Sequence, residues 1–98
     1  MAMELNELVT NLQAEKARLA EQYRVRSLGV FGSYARGEAG PESDLDVLVE
    51  FDEPPSLFEY VRLQNDLGDL LGVPVDMVMK SALKPAIRKQ ILEEVVVV

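Results

Sequence analysis

The stretch GVFGSYARGEAGPESDLDVLVEF, residues 29–51, constrains this chain more than any other. The apolar run Val25–Phe31 predicts a strand, and Gly32 ends it. Ser33 stands where it can cap a short helix running to about Arg36 or Gly37. A loop follows over residues 37–43, punctuated by Gly40-Pro41. Residues 44–51 then alternate, so that Leu45, Val47, Val49 and Phe51 face one way and Asp44, Asp46, Leu48 and Glu50 the other. Such a unit must bury one face of its second strand and display acids on the opposite one.

The remaining elements surround that unit. Residues 3–22 carry Leu5, Leu8, Val9, Leu12 and Leu19 at helical spacing, which predicts an amphipathic helix packed on the sheet. Pro54-Pro55 stops the second strand, and Ser56-Leu57-Phe58-Glu59 matches a capping box opening a helix to about Leu71, with Gly72 as its stop. Residues 73–79 read as a third strand with one acid, Asp76. Pro85 suits the first turn of a last helix to about Glu94. The order α-β-α-β-α-β-α predicts an α+β (α/β-like) fold in which a small mixed sheet of three to four strands packs with helices, as one domain over residues 1–98. Residues 95–98, four valines, cannot all be covered by a helix end. They are expected to pair with the sheet edge or to lie against another chain.

Composition removes several chemistries. Cysteine and histidine are both absent, so there are no disulfides, no thiolate or imidazole ligands and no histidine base. A metal would have to be a hard cation held by carboxylates, Mg²⁺ first and Mn²⁺ next. The sequence shows no apolar run of membrane-spanning length and no signal peptide, and the absence of cysteine makes the cytoplasm the expected location. Acids outnumber bases 17 to 10, for a net charge of −7. A chain that grips DNA or RNA through phosphates needs the opposite balance, so a polymerase acting on long nucleic acid is disfavoured.

The candidate site residues follow from their types and spacing. Asp44 and Asp46, two apart on a strand, leave the same face roughly 6–7 Å apart at the backbone. A bare Asp-x-Asp is most often a pair of solvated surface acids; ten residues after a Gly-Ser turn, it matches a metal pair facing a phosphate cradle. Gly32 permits close approach of backbone to phosphate. Ser33 adds a hydroxyl, and the N–H groups behind it can face an anion. Asp76 is costly in an apolar strand unless paired or on a metal. If its strand lies beside residues 44–51, it completes a three-carboxylate cluster and is the nearest base for an acceptor hydroxyl. Arg36 can reach a phosphate, an acid of the cluster or a structural ion-pair partner; Lys80 and Arg88 are weaker candidates of the same kind.

These residues closely resemble the signature of the DNA polymerase β-like nucleotidyltransferase superfamily. The short length resembles its minimal nucleotidyltransferase (MNT) branch, antitoxin partners of HEPN-domain proteins. By resemblance, Gly32 and Ser33 match the triphosphate-binding turn, Asp44 and Asp46 the metal ligands, and Asp76 the third acid. The resemblance implies transfer of AMP from ATP to a hydroxyl, with pyrophosphate leaving. For the antitoxin branch it implies a Tyr of a HEPN toxin as acceptor. Larger superfamily members carry extra helical domains for their acceptors, and 98 residues leave no room for one, so a protein partner in a homo- or hetero-oligomer is expected. Two rival readings are a non-catalytic subunit that neutralises its partner by contact and a transferase acting on a small molecule.

Overall fold

The structure, a computed structural model, describes residues 4–98. The elements are α1 (Leu5–Tyr23), β1 (Val25–Phe31), α2 (Ser33–Arg36), β2 (Leu45–Phe51), α3 (Leu57–Leu71), β3 (Val75–Met79), a 3₁₀ turn (Lys80–Ala82), α4 (Pro85–Glu94) and β4 (Val96–Val97). They form the expected α+β fold around one four-stranded mixed sheet. The expected start of the first helix at Met3 lies outside the described residues.

The strand order is β3-β2-β1-β4. β1 pairs antiparallel with β2 and β4, whereas β2 and β3 run parallel, joined across α3. A parallel pair cannot be closed by a tight turn, and the helix supplies the return path. Local signals set the ends of α3. Ser56 and Glu59 form a reciprocal capping box, and Gly72 closes the helix at φ 68°.

One face of the sheet carries the main core. Leu8, Leu12 and Leu19 of α1 and Leu63, Leu67 and Leu71 of α3 pack on Leu28, Val30, Leu45, Val47 and Val49. Two helices thus share one sheet face, clasped by Arg18 of α1, which donates 2.9 and 3.0 Å hydrogen bonds to the Asp66 carboxylate of α3. The Tyr23 hydroxyl donates to the same carboxylate at 2.9 Å. A bulge between Val25 and Ser27 keeps Val25 and Leu28 both on the core side.

The second face is covered in part. Phe31, Leu48 and Leu83 form a small cluster, against which Val78, Ile91 and Val95 pack. Gly29 makes room for this layer, since a Cβ there would stand 2.5 Å from Val95 Cγ2. The valine tail pairs with the sheet edge: Val96 lies opposite Val30 and Val97 opposite Gly29. The Val98 N–H then donates to the Leu28 carbonyl at 3.0 Å, and its side chain is buried. The uncovered end of this face carries acids.

Candidate active site

Three pieces of backbone meet at that end. β1 delivers Gly32, β2 delivers Asp46, and β3 delivers Asp76. Phe31 is the register partner of Asp46 across β1–β2, which sets the turn beside the first carboxylate. Across the parallel pair Asp46 lies directly opposite Asp76, so both side chains leave the same sheet face. The Leu45 N–H donates to the Pro74 carbonyl at 2.8 Å and anchors this register where the two strands begin.

Gly32 takes φ 75° and ψ −152°, a conformation that disfavours any side chain. A Cβ there would also come within 2.0 Å of Asp46 Oδ2. The glycine is therefore required twice, once by its backbone angles and once by the carboxylate against it. Gly32 itself is the N-cap of α2 and Ser33 its first helical residue, so the expected capping role of Ser33 is corrected. The strand arrives at the turn with Gly32 already in the non-helical capping conformation. Past α2, the Gly40 N–H donates to Ser43 Oγ at 2.8 Å and the Ser43 N–H to the Gly40 carbonyl at 3.1 Å. That tight turn feeds the chain into Asp44, which is exposed and immediately precedes β2.

The charges are crowded. The Asp46 carboxyl is pushed above the usual carboxylate range, first by burial and then by the nearby charges of Asp76 and Asp44; Arg36 opposes the shift. Negative charge here is thus incompletely neutralised by the protein, and oxygen donors in that condition suit a hard divalent cation. Among the described residues no three acidic side chains are drawn closely enough together to hold a metal ion by themselves. Asp46 and Asp76 would need further oxygens beside them to hold a cation, and substrate phosphates are the usual source for Mg²⁺.

Arg36 donates to Glu38 at 2.9 Å and to Glu94 at 2.9 and 3.4 Å. Glu94, the last residue of α4, also accepts the Gly32 N–H at 3.1 Å. Nothing in the sequence distinguishes Glu94 from the other acids, because only the turn from α4 into β4 brings it to the glycine. Lys80 pairs with Glu50 at 3.4 Å, on the same sheet face as Asp46 but further along β2. The Tyr60 phenol is shifted upward by burial and then by Asp76, and it donates to the Met77 carbonyl at 2.6 Å.

Residues 13–98 match the family model described as a nucleotidyltransferase domain. The chain belongs to this family. It is a minimal, DNA polymerase β-like nucleotidyltransferase domain, and it is an enzyme of that class. It is similar to the protein adenylyltransferase MntA of Thermococcus cleftensis, at 52% identity over 96% of this chain and 95% of the relative. A protein of Methanocaldococcus jannaschii assigned as a protein adenylyltransferase is 44% identical, covering 96% of this chain and 97% of its own. A solved structure assigned to the minimal nucleotidyltransferases superposes with a TM-score of 0.80 at 41% identity, over 96% of this chain and 95% of that one. A more distant likeness, at 17% identity and a TM-score of 0.64, covers 92% of this chain and 70% of the other. That structure is a tri-AMPylated Shewanella oneidensis HEPN toxin in complex with MNT antitoxin, and it carries the fold alone.

Proposed function

We propose that this nucleotidyltransferase moves AMP from ATP to a tyrosine hydroxyl of a HEPN-domain toxin and so acts in the cytoplasm as the antitoxin of that pair. The observation that carries the reading is the register of Asp46 and Asp76, side by side on one face with Gly32 against Asp46. The similarity to the protein adenylyltransferase of Thermococcus cleftensis, and the HEPN toxin bound to an MNT antitoxin in the more distant structure, support the choice of donor and partner.

Each residue has a role in this reading. The backbone at Gly32, the Ser33 hydroxyl and the Arg36 guanidinium hold the triphosphate. Asp44, Asp46 and Asp76, together with phosphate oxygens of the substrate, would hold Mg²⁺, or Mn²⁺ in its place; bound there, the cation would neutralise phosphate charge and stabilise the leaving pyrophosphate. Asp76, exposed at the rim, takes the proton of the acceptor hydroxyl. The hydroxyl oxygen bonds to the α-phosphorus, the bond from that phosphorus to the bridging oxygen breaks, and pyrophosphate departs with the electron pair. The partner brings its tyrosine on its own surface.

The experiment is incubation of the protein with α-labelled ATP, Mg²⁺ and a HEPN-domain partner. Label is expected on a tyrosine of the partner, and it should disappear with Asp46→Asn. Full incorporation with Asp46→Asn, or none with the native protein, overturns the reading.

A further inference from the structure

Glu94 places a carboxylate on the two groups that the nucleotide would use. It accepts the Gly32 N–H at 3.1 Å and the Arg36 guanidinium at 2.9 Å. A carboxylate and a phosphate ask for the same donors: a backbone N–H and a forked cation. The contact is imposed by the chain around it. Ile91 and Val95 are packed against Phe31, Leu48 and Leu83, and Val96 is paired with Val30. Residue 94 is therefore held between a packed helix end and a paired strand, with its side chain only 19% exposed. The site already contains Asp44, Asp46 and Asp76, and Glu94 adds to the field that Asp46 feels. An acid in this position works against an incoming polyanion.

We propose that Glu94 is a built-in competitor for the triphosphate: it occupies the Gly32 N–H and Arg36 in the nucleotide-free protein and is displaced when ATP with its Mg²⁺ binds. This rests on the nucleotide-binding reading of the Gly32 turn. The gate keeps the glycine turn and the arginine ordered without a ligand, and it sets a threshold of nucleotide concentration below which the turn stays closed. It also couples occupancy to the α4–β4 edge, since the displaced residue joins those two elements.

The test is calorimetric titration of ATP, in saturating Mg²⁺, into the native protein, Glu94→Gln and Glu93→Gln. Glu93 is exposed on the same helix and serves as the charge control. Glu94→Gln should bind about fivefold tighter or more, which corresponds to about 1 kcal/mol, while Glu93→Gln matches the native protein. Affinity unchanged or weakened by Glu94→Gln overturns the gate and makes Glu94 a structural brace. An equal gain from Glu93→Gln overturns it as well, by reducing the effect to net charge. Binding absent from all three proteins overturns the nucleotide reading itself. Should Glu94→Gln not fold, the native protein answers alone through the ¹³C carboxyl resonance of Glu94. On saturation with ATP and Mg²⁺ that resonance should move to the position of exposed glutamates; a resonance that stays put while the nucleotide binds overturns the gate.

Discussion

At Asp46, a carboxylate crowded by Asp76 and Asp44 is the working part of the proposed site. Its protonation is favoured in the folded state by burial and by Asp76 and Asp44. A carboxyl with a raised folded pKa binds protons more tightly in the native state. Stability from this group therefore falls as pH rises from the unfolded value, about 3.9, through the folded one. Asp46→Asn should lower transfer by about a hundredfold or more, the scale of removing one group that stabilises developing charge. In metal-free buffer at neutral pH the same variant should melt slightly higher than the native protein, by about 1 kcal/mol or less. That gain should shrink on acidification; a melting-temperature series against pH in chelator checks both. Gly32→Ala is expected to behave differently, because a Cβ meets the Asp46 carboxylate and the backbone angle is strained as well. It should cost about 1–3 kcal/mol in denaturant unfolding and also weaken nucleotide binding.

The elements were readable where their ends carry their own signals. The Ser56–Glu59 capping box and the Gly72 stop define α3 from its own residues, and Pro85 opens α4 as expected. β2 and β3 begin one and two residues later than the alternation predicts, because pairing starts only where the Leu45 N–H meets the Pro74 carbonyl. The 3₁₀ turn after β3 has no periodicity to announce it. Between elements, the clasp of Arg18 and Tyr23 on Asp66 ties α1 to α3. Arg18 holds the Asp66 carboxyl below the usual range, with the Tyr23 hydroxyl adding to the shift. Stability from a depressed carboxylate is present above its unfolded pKa and is lost as pH falls through the folded one. Asp66→Asn should therefore cost about 1–2 kcal/mol at neutral pH, discounted for the partial exposure of both partners, and progressively less in acid. Paired denaturant melts at neutral and acid pH decide this; a cost that does not change with pH would assign the effect to packing.

For the whole molecule, charge and shape set what it can meet. Among the described residues no helix is long and apolar enough to cross a membrane. The charge of −7 leaves little to replace counterions on a nucleic acid. No salt-sensitive complex with duplex DNA or single-stranded RNA is expected in a gel-shift titration near physiological salt, and a tight one would reopen the polymerase reading. The valine tail took the intramolecular course of the two expected: it pairs with β1 and buries Val98 under the sheet edge. Val97 remains largely exposed there, as do Leu57 and Phe58 at the start of α3.

The sequence alone determined the strand that stops before Gly32-Ser33, the alternation that puts Asp46 opposite to the core, and the helices opened by serine or proline and closed by glycine. Those properties depend on residues within a few positions of one another, so local sterics and periodicity carry them. Tertiary structure decided the rest. That Asp76 lies across from Asp46 depends on a parallel register set by the whole β2–α3–β3 unit. That Asp46 presses on Gly32 depends on the β1–β2 pairing. That Glu94 reaches the same turn from 62 residues away depends on the tail pairing with β1. Contacts between distant segments leave no periodic trace in the chain, because burial and register act only once the sheet has formed.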